Sequence, residues 1–312
     1  MTTALITHST CREHDPGYGH PESPERLEAI LHALADPAFA PLVRLEAPQA
    51  GIDLLRRAHA ATLVEAILGP LNEQAQSEGR AFIDADTSMS PASAEAALRA
   101  AGAAALAVEE VASGNITNAF CAVRPPGHHA ERDRAMGFCL FNNVAVAAYR
   151  ARDLGFGRVA VVDFDVHHGN GTQDIFWDDA DALYISTHQM PLYPGTGRRS
   201  ERGIGGNILN IPLPPGAGGA ELRAAFKSLA IPALEEFRAD FLFISAGFDA
   251  HLSDPLANLA FTEDDFAWAT RALCEYASRA CDGRVVSTLE GGYDLAALAR
   301  SASAHVRVLM EF

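Results

Sequence analysis

Basic blocks, paired cysteines, long apolar runs and low-complexity tracts are all missing from this 312-residue chain. The formal net charge is −16 at pH 7. A nucleic-acid surface needs concentrated Lys and Arg to neutralise phosphates, so no nucleic-acid partner is expected. The same acidity favours solubility and draws cationic ligands at long range. The five cysteines, Cys11, Cys121, Cys139, Cys274 and Cys281, are odd in number, widely spaced and without a CxxC pair. That pattern fits a reduced compartment and not a disulfide framework. The opening stretch MTTALITHSTCREHD has neither a basic segment nor a long apolar one, so no secretory signal is expected and the chain reads as cytoplasmic. Ala92 to Val111 is the most apolar long window. Glu95, Arg99, Glu109 and Glu110 interrupt it, which makes it an Ala-rich core helix and not a membrane span. The alanine content points to a bacterial source.

Apolar residues make up 48% of the chain and charged residues 21%, enough for a large core and too apolar for disorder. Short β-branched or apolar runs alternate with longer helical patterns. Strands are expected at Ala4–Thr7, Ala119–Val123, Val159–Asp163, Ala182–Ser186, Ile208–Ile211, Phe241–Ser245 and Val285–Leu289. Helices are expected at Pro24–Leu34, Pro91–Ala112, Val144–Leu154, Ala220–Phe237, Glu263–Ala280 and Leu295–Leu309. Ser23-Pro24 and Ser90-Pro91 each place an N-cap before a proline, and Thr262 with Asp265 forms a variant capping box. Such alternation predicts an α/β fold of three layers, a mostly parallel central sheet flanked by helices, as a single domain over residues 1–312. The Gly- and Arg-rich stretch Pro194–Asn207 has no periodicity and reads as an exposed, mobile connection.

The segment Val162 to Gln173, VDFDVHHGNGTQ, carries the most chemical information. It begins as a strand and is expected to end as a polar loop. Alternate residues of a strand share a face, so Asp163, Asp165 and His167 line up at the end of the apolar run Val159–Val162. Two buried carboxylates and an imidazole are costly unless a cation or dense hydrogen bonding compensates them, and a divalent metal does so most simply.

Three further polar clusters follow strand candidates: RPPGHHA (Arg124–Ala130), SAGFDA (Ser245–Ala250) and LEGGYDL (Leu289–Leu295). Ligands of open α/β sheets bind outside the carboxyl ends of the strands, so the four clusters point to one site. Asp165, His167 and Asp249 form a plausible three-ligand set with open positions, as in catalytic metal sites. Mixed oxygen and nitrogen donors suit Zn²⁺, and also Fe²⁺ or Co²⁺. Asp249 taken alone would be an ordinary turn residue. His128 and His129 sit after a rigid Pro-Pro-Gly turn, where one can exchange protons while the other tunes the field. Asp163 and Asn170 flank the ligand pair and are the natural partners to orient them. His168 reads as structural. Tyr293, in a Gly-Gly-Tyr turn, is placed to donate a hydrogen bond to a developing oxyanion. HGNGTQ lacks the Walker lysine and the dinucleotide-binding spacing, which excludes a phosphate cradle.

Together these motifs resemble the histone deacetylase family, in the arginase/deacetylase fold. RPPGHH, DxDxHHGNGTQ, AGFDA and LEGGY occur in the family's order, and HPESPERL (His20–Leu27) and DADTSMSPAS (Asp84–Ser93) extend the likeness towards the N-terminus. Asn170, where one branch has Asp, resembles the class II branch and its bacterial relatives. The resemblance implies one catalytic Zn²⁺ on Asp165, His167 and Asp249. It makes His129 the general base and later the acid for the leaving amine, and His128, paired with Asp163, an electrostatic partner. It gives Tyr293 the acyl carbonyl to polarise. Gly137, Phe138, Tyr193 and Leu256 would line a narrow substrate tunnel. A structural K⁺ or Na⁺ is implied near Asp163, Asp165, His167, Ser186 and Thr187.

The implied activity is zinc-dependent removal of acetyl or longer acyl groups from the ε-amine of lysine in proteins or peptides. Acetylpolyamine hydrolysis on a small acylated amine is the alternative. Polyamine enzymes of the family carry an acidic gatekeeper, and here Leu256, seven residues after Asp249, fills that position. A short segment between His188 and Tyr193, and Tyr193 where many relatives have Phe, bear on acyl and peptide preference more than on the reaction. A catalytically silent acyl-lysine-binding module would lack one of the base, the ligands or the tyrosine. A binuclear arginase-like hydrolase would need a further bridging carboxylate set.

Overall fold

A computed structural model describes residues 2–312. Ten strands are present among them: β1 (Thr3–Thr7), β2 (Val43–Glu46), β3 (Ala81–Phe82), β4 (Ser88–Met89), β5 (Asn118–Cys121), β6 (Val159–Asp163), β7 (Ala182–Gln189), β8 (Ile208–Leu213), β9 (Phe241–Ala246) and β10 (Val285–Leu289). Eight form one sheet in the order β2-β1-β5-β10-β9-β6-β7-β8, and every neighbouring pair is parallel. The strands β5, β6, β9 and β10 are buried throughout, as a sheet covered on both faces requires. Helices Ser93–Ala112 and Asn143–Asp153 pack together in one covering layer, and Pro24–Ala33, Glu263–Ala280 and Leu295–Leu309 pack together in another.

The topology aligns the four motif-bearing strands. β9 and β10 insert between β5 and β6, so β5-β10-β9-β6 are consecutive at the centre of the sheet. Because all run parallel, the four clusters following them emerge on one edge.

Several expectations need correction. Helix 91–112 begins at Ser93: Ser90 does not cap it, because Ser93 N–H donates to the Ser90 carbonyl and Ser93 Oγ accepts the Ser90 N–H at 2.7 Å, closing a turn before the helix. Helix 220–237 widens into a π turn at Phe226–Ala230, just ahead of Pro232, whose ring cannot follow a regular α turn. The polar loop expected after His168 becomes a helix, Asn170–Phe176, packed so closely that a Cβ on Gly171 would overlap the Ala130 carbonyl. The connection 194–207 is largely exposed but anchored: Gly197 is buried against His168 and His188, and the Asn207 amide donates to three main-chain carbonyls. Edge strand β2 and helices Ile52–Ala58, Ala61–Leu68 and Pro70–Glu78 carry no expectation from the sequence. Thr262 does form the capping box, its N–H and hydroxyl both donating to Asp265 Oδ2.

One core group gives a test of the packing. His305 is fully buried and hydrogen-bonded through both ring nitrogens, to Thr270 Oγ1 at 2.6 Å and Ser287 Oγ at 2.9 Å. Burial lowers its pKa from 6.5 to about 3. Below 6.5 the unfolded chain therefore binds a proton that the folded chain refuses, and stability falls as pH falls towards 3. The slope for one such group is about 1.4 kcal/mol per pH unit. Urea titrations of wild type and His305→Gln between pH 6 and 4.5 are expected to differ by that slope, the variant being shallower. Parallel curves would refute a neutral buried imidazole.

Candidate active site

The turn after β6 folds back on its own carboxylates. Asp163 Oδ1 accepts the Asp165 N–H at 3.0 Å, Asp165 Oδ1 accepts the His167 N–H at 2.9 Å, and Asp249 Oδ1 accepts the Val166 N–H at 2.8 Å. These bonds hold the side chains of Asp165, His167 and Asp249 close to one another. His167 Nδ1 lies 3.2 Å from Asp165 Oδ1 and 3.1 Å from Asp249 Oδ2, and one donor atom from each of the three residues falls within 4.8 Å of the others.

Two glycines make room for the cluster. A Cβ on Gly247 would overlap the Asp165 carboxylate, and one on Gly291 would overlap Asp249 Oδ2. Charge is poorly balanced there. Burial opposes a charged ring, yet Asp165 and Asp249 outweigh it and lift His167 to about 10. Burial and then the facing Asp165 raise Asp249 to about 7. A proton and a divalent cation compete for the same atoms, and the donor set of two carboxylates and one imidazole fits Zn²⁺.

The two histidines stand beside this cluster with ring centroids 4.1 Å apart. His128 Nδ1 lies 3.0 Å from Asp163 Oδ2, which also accepts the Tyr184 hydroxyl at 2.9 Å. His129 Nδ1 lies 2.8 Å from Asn170 Oδ1. Burial disfavours charge on both rings. For His128 the carboxylates of Asp165 and Asp163 reverse that and hold it well above the usual value. For His129, burial and then the neighbouring His128 and His167 hold it well below. The pair is thus polarised, one ring kept protonated and the other kept neutral, the division that acid–base chemistry needs.

Glu290 fixes the histidine turn from below. Its fully buried carboxylate accepts the N–H groups of Gly127 at 2.7 Å and His128 at 3.1 Å and the Ser245 hydroxyl at 3.2 Å. Burial raises it to about 7, against the pull of His128 and those donors. Arg26 fixes the Gly-Gly-Tyr turn. It donates to the carbonyls of Gly292 at 2.6 Å and Glu290 at 2.5 Å and lies 4.8 Å over the Tyr293 ring, while Glu22 balances its charge at 2.9 Å. Tyr293 N–H donates to Asp254 Oδ2 at 2.7 Å.

A cavity of about 220 Å³ descends to these groups, with His129, His167 and Tyr293 among its walls. Gly137, Phe138, Tyr193 and Leu256, all singled out from sequence, line it too. Gly137 and Phe138 both adopt positive φ, 57° and 68°, and a Cβ on Gly137 would come within 2.6 Å of the His129 ring. Tyr193 stands edge-on to His129 at 5.2 Å, and Phe138 edge-on to Tyr293 at 6.0 Å. Asp86 and Leu192 complete the lining. Asp163, Asp165, His167, Ser186 and Thr187 also come together, since Asp163 pairs with Ser186 across β6 and β7 and the Thr187 hydroxyl reaches the Asp163 carbonyl at 3.5 Å. Ser186 Oγ bonds His188 Nδ1 at 2.8 Å. His168, read as structural, has both ring nitrogens engaged, by Thr196 and Gln173.

A model of the histone deacetylase domain matches residues 20–309. The chain belongs to the histone deacetylase family. It is 38% identical to a probable deacetylase of Archaeoglobus fulgidus, over 95% of this chain and 82% of that protein. It is 43% identical to a probable deacetylase of Methanothermobacter thermautotrophicus, over 95% and 89%. The crystal structure of the HDA15 HD domain superposes with a TM-score of 0.93 at 37% identity, covering 99% of this chain and 88% of that one. Membership in the histone deacetylase family makes the chain a hydrolase by class. No helix among the described residues is long and apolar enough to cross a membrane.

Around this histone deacetylase site, Arg26, Asp86, Glu131, Leu192 and Glu290 carry no individual expectation from the sequence. Arg26 and Asp86 lie inside motifs noted only for their likeness, and Glu290 directly precedes Gly-Gly-Tyr. Their place inside or beside a motif was the only signal in the sequence; that Arg26 and Glu290 are fully buried, and so must be paired, is a property of the fold.

Proposed function

We propose that the protein is a zinc-dependent amidohydrolase that removes acyl groups from the ε-amine of lysine in proteins or peptides, working as a single catalytic domain over residues 1–312. The observation that carries this is the meeting of Asp165, His167 and Asp249 with His129 and Tyr293 at the end of one narrow, largely apolar cavity. Asp165, His167 and Asp249 would hold Zn²⁺, which when bound supplies a Lewis acid for the acyl carbonyl and for water.

The chain's own groups do the rest. His129, kept neutral, takes the proton of the attacking water and then delivers it to the departing amine. His128, kept protonated by Asp163, supplies positive charge beside the reacting centre. The Tyr293 phenol, whose pKa burial raises well above 10, remains a hydrogen-bond donor to the acyl oxygen as charge develops on it. Gly137, Phe138, Tyr193 and Leu256 form the sleeve for a slender alkyl stem and exclude water. A monovalent cation near Asp163, Asp165, His167, Ser186 and Thr187 would steady the ligand loop. Five free, buried cysteines support a reducing compartment such as the cytoplasm.

One observation favours a second substrate. Asp86 places a carboxylate in the lining, so a second ammonium of an acetylpolyamine has a partner there that Leu256 does not provide. The test is kcat/KM of Zn²⁺-loaded protein on acetyl-lysine peptides, longer acyl-lysine peptides and acetylpolyamines. Higher kcat/KM on the peptides is expected. Preference for polyamines would reverse the substrate assignment, and no turnover of either would leave a binding module.

A further inference from the structure

Asn170 faces His129 with an amide, and an amide has a right and a wrong way round. With Oδ1 towards the ring, His129 Nδ1 must carry the proton and Nε2 keeps its lone pair. With Nδ2 towards the ring, Nδ1 must accept, and the proton of the neutral imidazole moves to Nε2. His129 Nε2 has no hydrogen-bond partner among the described residues, and the ring lines the cavity. Only the first arrangement leaves it able to accept a proton.

Glu131 decides which arrangement holds. Asn170 Nδ2 donates to Glu131 Oε1 at 2.7 Å, while the other atom of the amide faces the His129 ring. A carboxylate only accepts, so the amide atom beside it must be nitrogen, and the oxygen is left for His129. Reversing the amide would set oxygen against carboxylate oxygen. Nδ2 also reaches the His129 main-chain carbonyl at 3.5 Å and Met136 Sδ at 3.3 Å, and these favour the same orientation, but one is at the limit of hydrogen-bond length and the other is a weak acceptor, and neither carries the charge of Glu131.

The main chain around Glu131 is itself held. Its N–H donates to the Arg134 carbonyl at 2.8 Å, and its carbonyl accepts from His59 Nδ1 at 2.9 Å. The other nitrogen of His59 accepts the Asn142 N–H at 2.9 Å. The carboxylate is thus aimed by a backbone tied at both ends.

We propose that Glu131 is a positioning residue that sets the tautomer of His129 by locking the amide of Asn170. This rests on the deacylase reading for its catalytic consequence, but not for the tautomer itself. Glu131→Lys replaces an acceptor by a donor, reverses the amide and puts the proton on Nε2. Expected is a fall in kcat of about 10²-fold, the lower end of what a general base contributes, with KM little changed. Glu131→Gln, whose own amide can turn either an oxygen or an NH₂ towards Asn170, loosens the lock without reversing it and is expected to give a kcat between those of the wild type and Glu131→Lys. Asn170→Asp added to Glu131→Lys also restores it, because a carboxylate has two equivalent oxygens and no wrong way round.

The deciding measurement is the long-range ¹H–¹⁵N spectrum of the Zn²⁺-loaded, histidine-labelled protein, with His129 assigned through His129→Ala. The wild type is expected to show the Nδ1–H form, Glu131→Lys the Nε2–H form, and Glu131→Gln a mixture of the two. Melting temperature and zinc content report whether each variant is folded and loaded. A Glu131→Lys spectrum unchanged at His129, in folded and loaded protein, would overturn the proposal. A wild type showing the Nδ1–H form but no turnover of acylated amines would sink the deacylase reading and leave the lock standing.

Discussion

His129→Ala lowers kcat on an acyl-lysine peptide by about 10²–10⁴ and leaves KM within a fewfold. The expectation follows from what surrounds the ring. Burial and the neighbouring His128 and His167 keep it neutral, Asn170 takes its Nδ1 side, and the cavity lies before it. His128 cannot substitute. Its Nδ1 is held by Asp163, and two carboxylates keep it protonated, so it has no lone pair to offer. Steady-state kinetics on the Zn²⁺-loaded variant give the answer. An unchanged kcat would remove His129 from proton transfer, while a loss confined to KM would make it a wall of the cavity. Tyr293→Phe, which deletes a single donor to the acyl oxygen, is expected to cost about 10²–10³ in kcat.

Gly291→Ala is expected to empty the proposed metal site without replacing any of its ligands. The backbone at Gly291 has no positive φ, so alanine is free of conformational strain there. The added Cβ, however, overlaps Asp249 Oδ2 and comes within 2.6 Å of Asp165 Oδ2. Neither carboxylate can retreat. Asp165 Oδ2 already accepts the Gly291 N–H at 2.7 Å, and Asp249 Oδ1 is tied to Val166 N–H. One zinc per wild-type chain after dialysis, and none in Gly291→Ala or Asp249→Asn, is the expected elemental analysis. Addition of Zn²⁺ should raise the wild-type melting temperature and leave both variants where they were, since a ligand stabilises only the state that binds it. Stoichiometric zinc in both variants would place the metal elsewhere in the chain.

Much of the frame is written in local pattern. The apolar runs Val159–Asp163 and Val285–Leu289 end where the strands end, and helices Glu263–Ala280 and Leu295–Leu309 keep their expected bounds. Edge strand β2 escapes because its residues alternate between half-buried and exposed and are few, so no periodic signal builds up. Three helices between residues 52 and 78 escape because each is too short to show a clear period. The motif polars converge as expected because strand ends in a parallel sheet share an edge.

The sequence by itself determined the α/β alternation, the family and the chemically active groups at the strand ends, since each is carried by residues near one another in the chain. Only the tertiary structure decided that β9 and β10 insert between β5 and β6, bringing Asp249 to Asp165 and Tyr293 to His129's cavity. It alone showed Glu290 beneath the histidine turn, Arg26 over Tyr293, Asp86 in the cavity wall and Glu131 behind Asn170. Those contacts join segments far apart in the chain: Arg26 and Gly292, hydrogen-bonded beside Tyr293, are 266 positions apart. Whether a buried charge is paired, and which way it aims a neighbour, depends on packing between distant segments, and local sequence pattern holds no record of it.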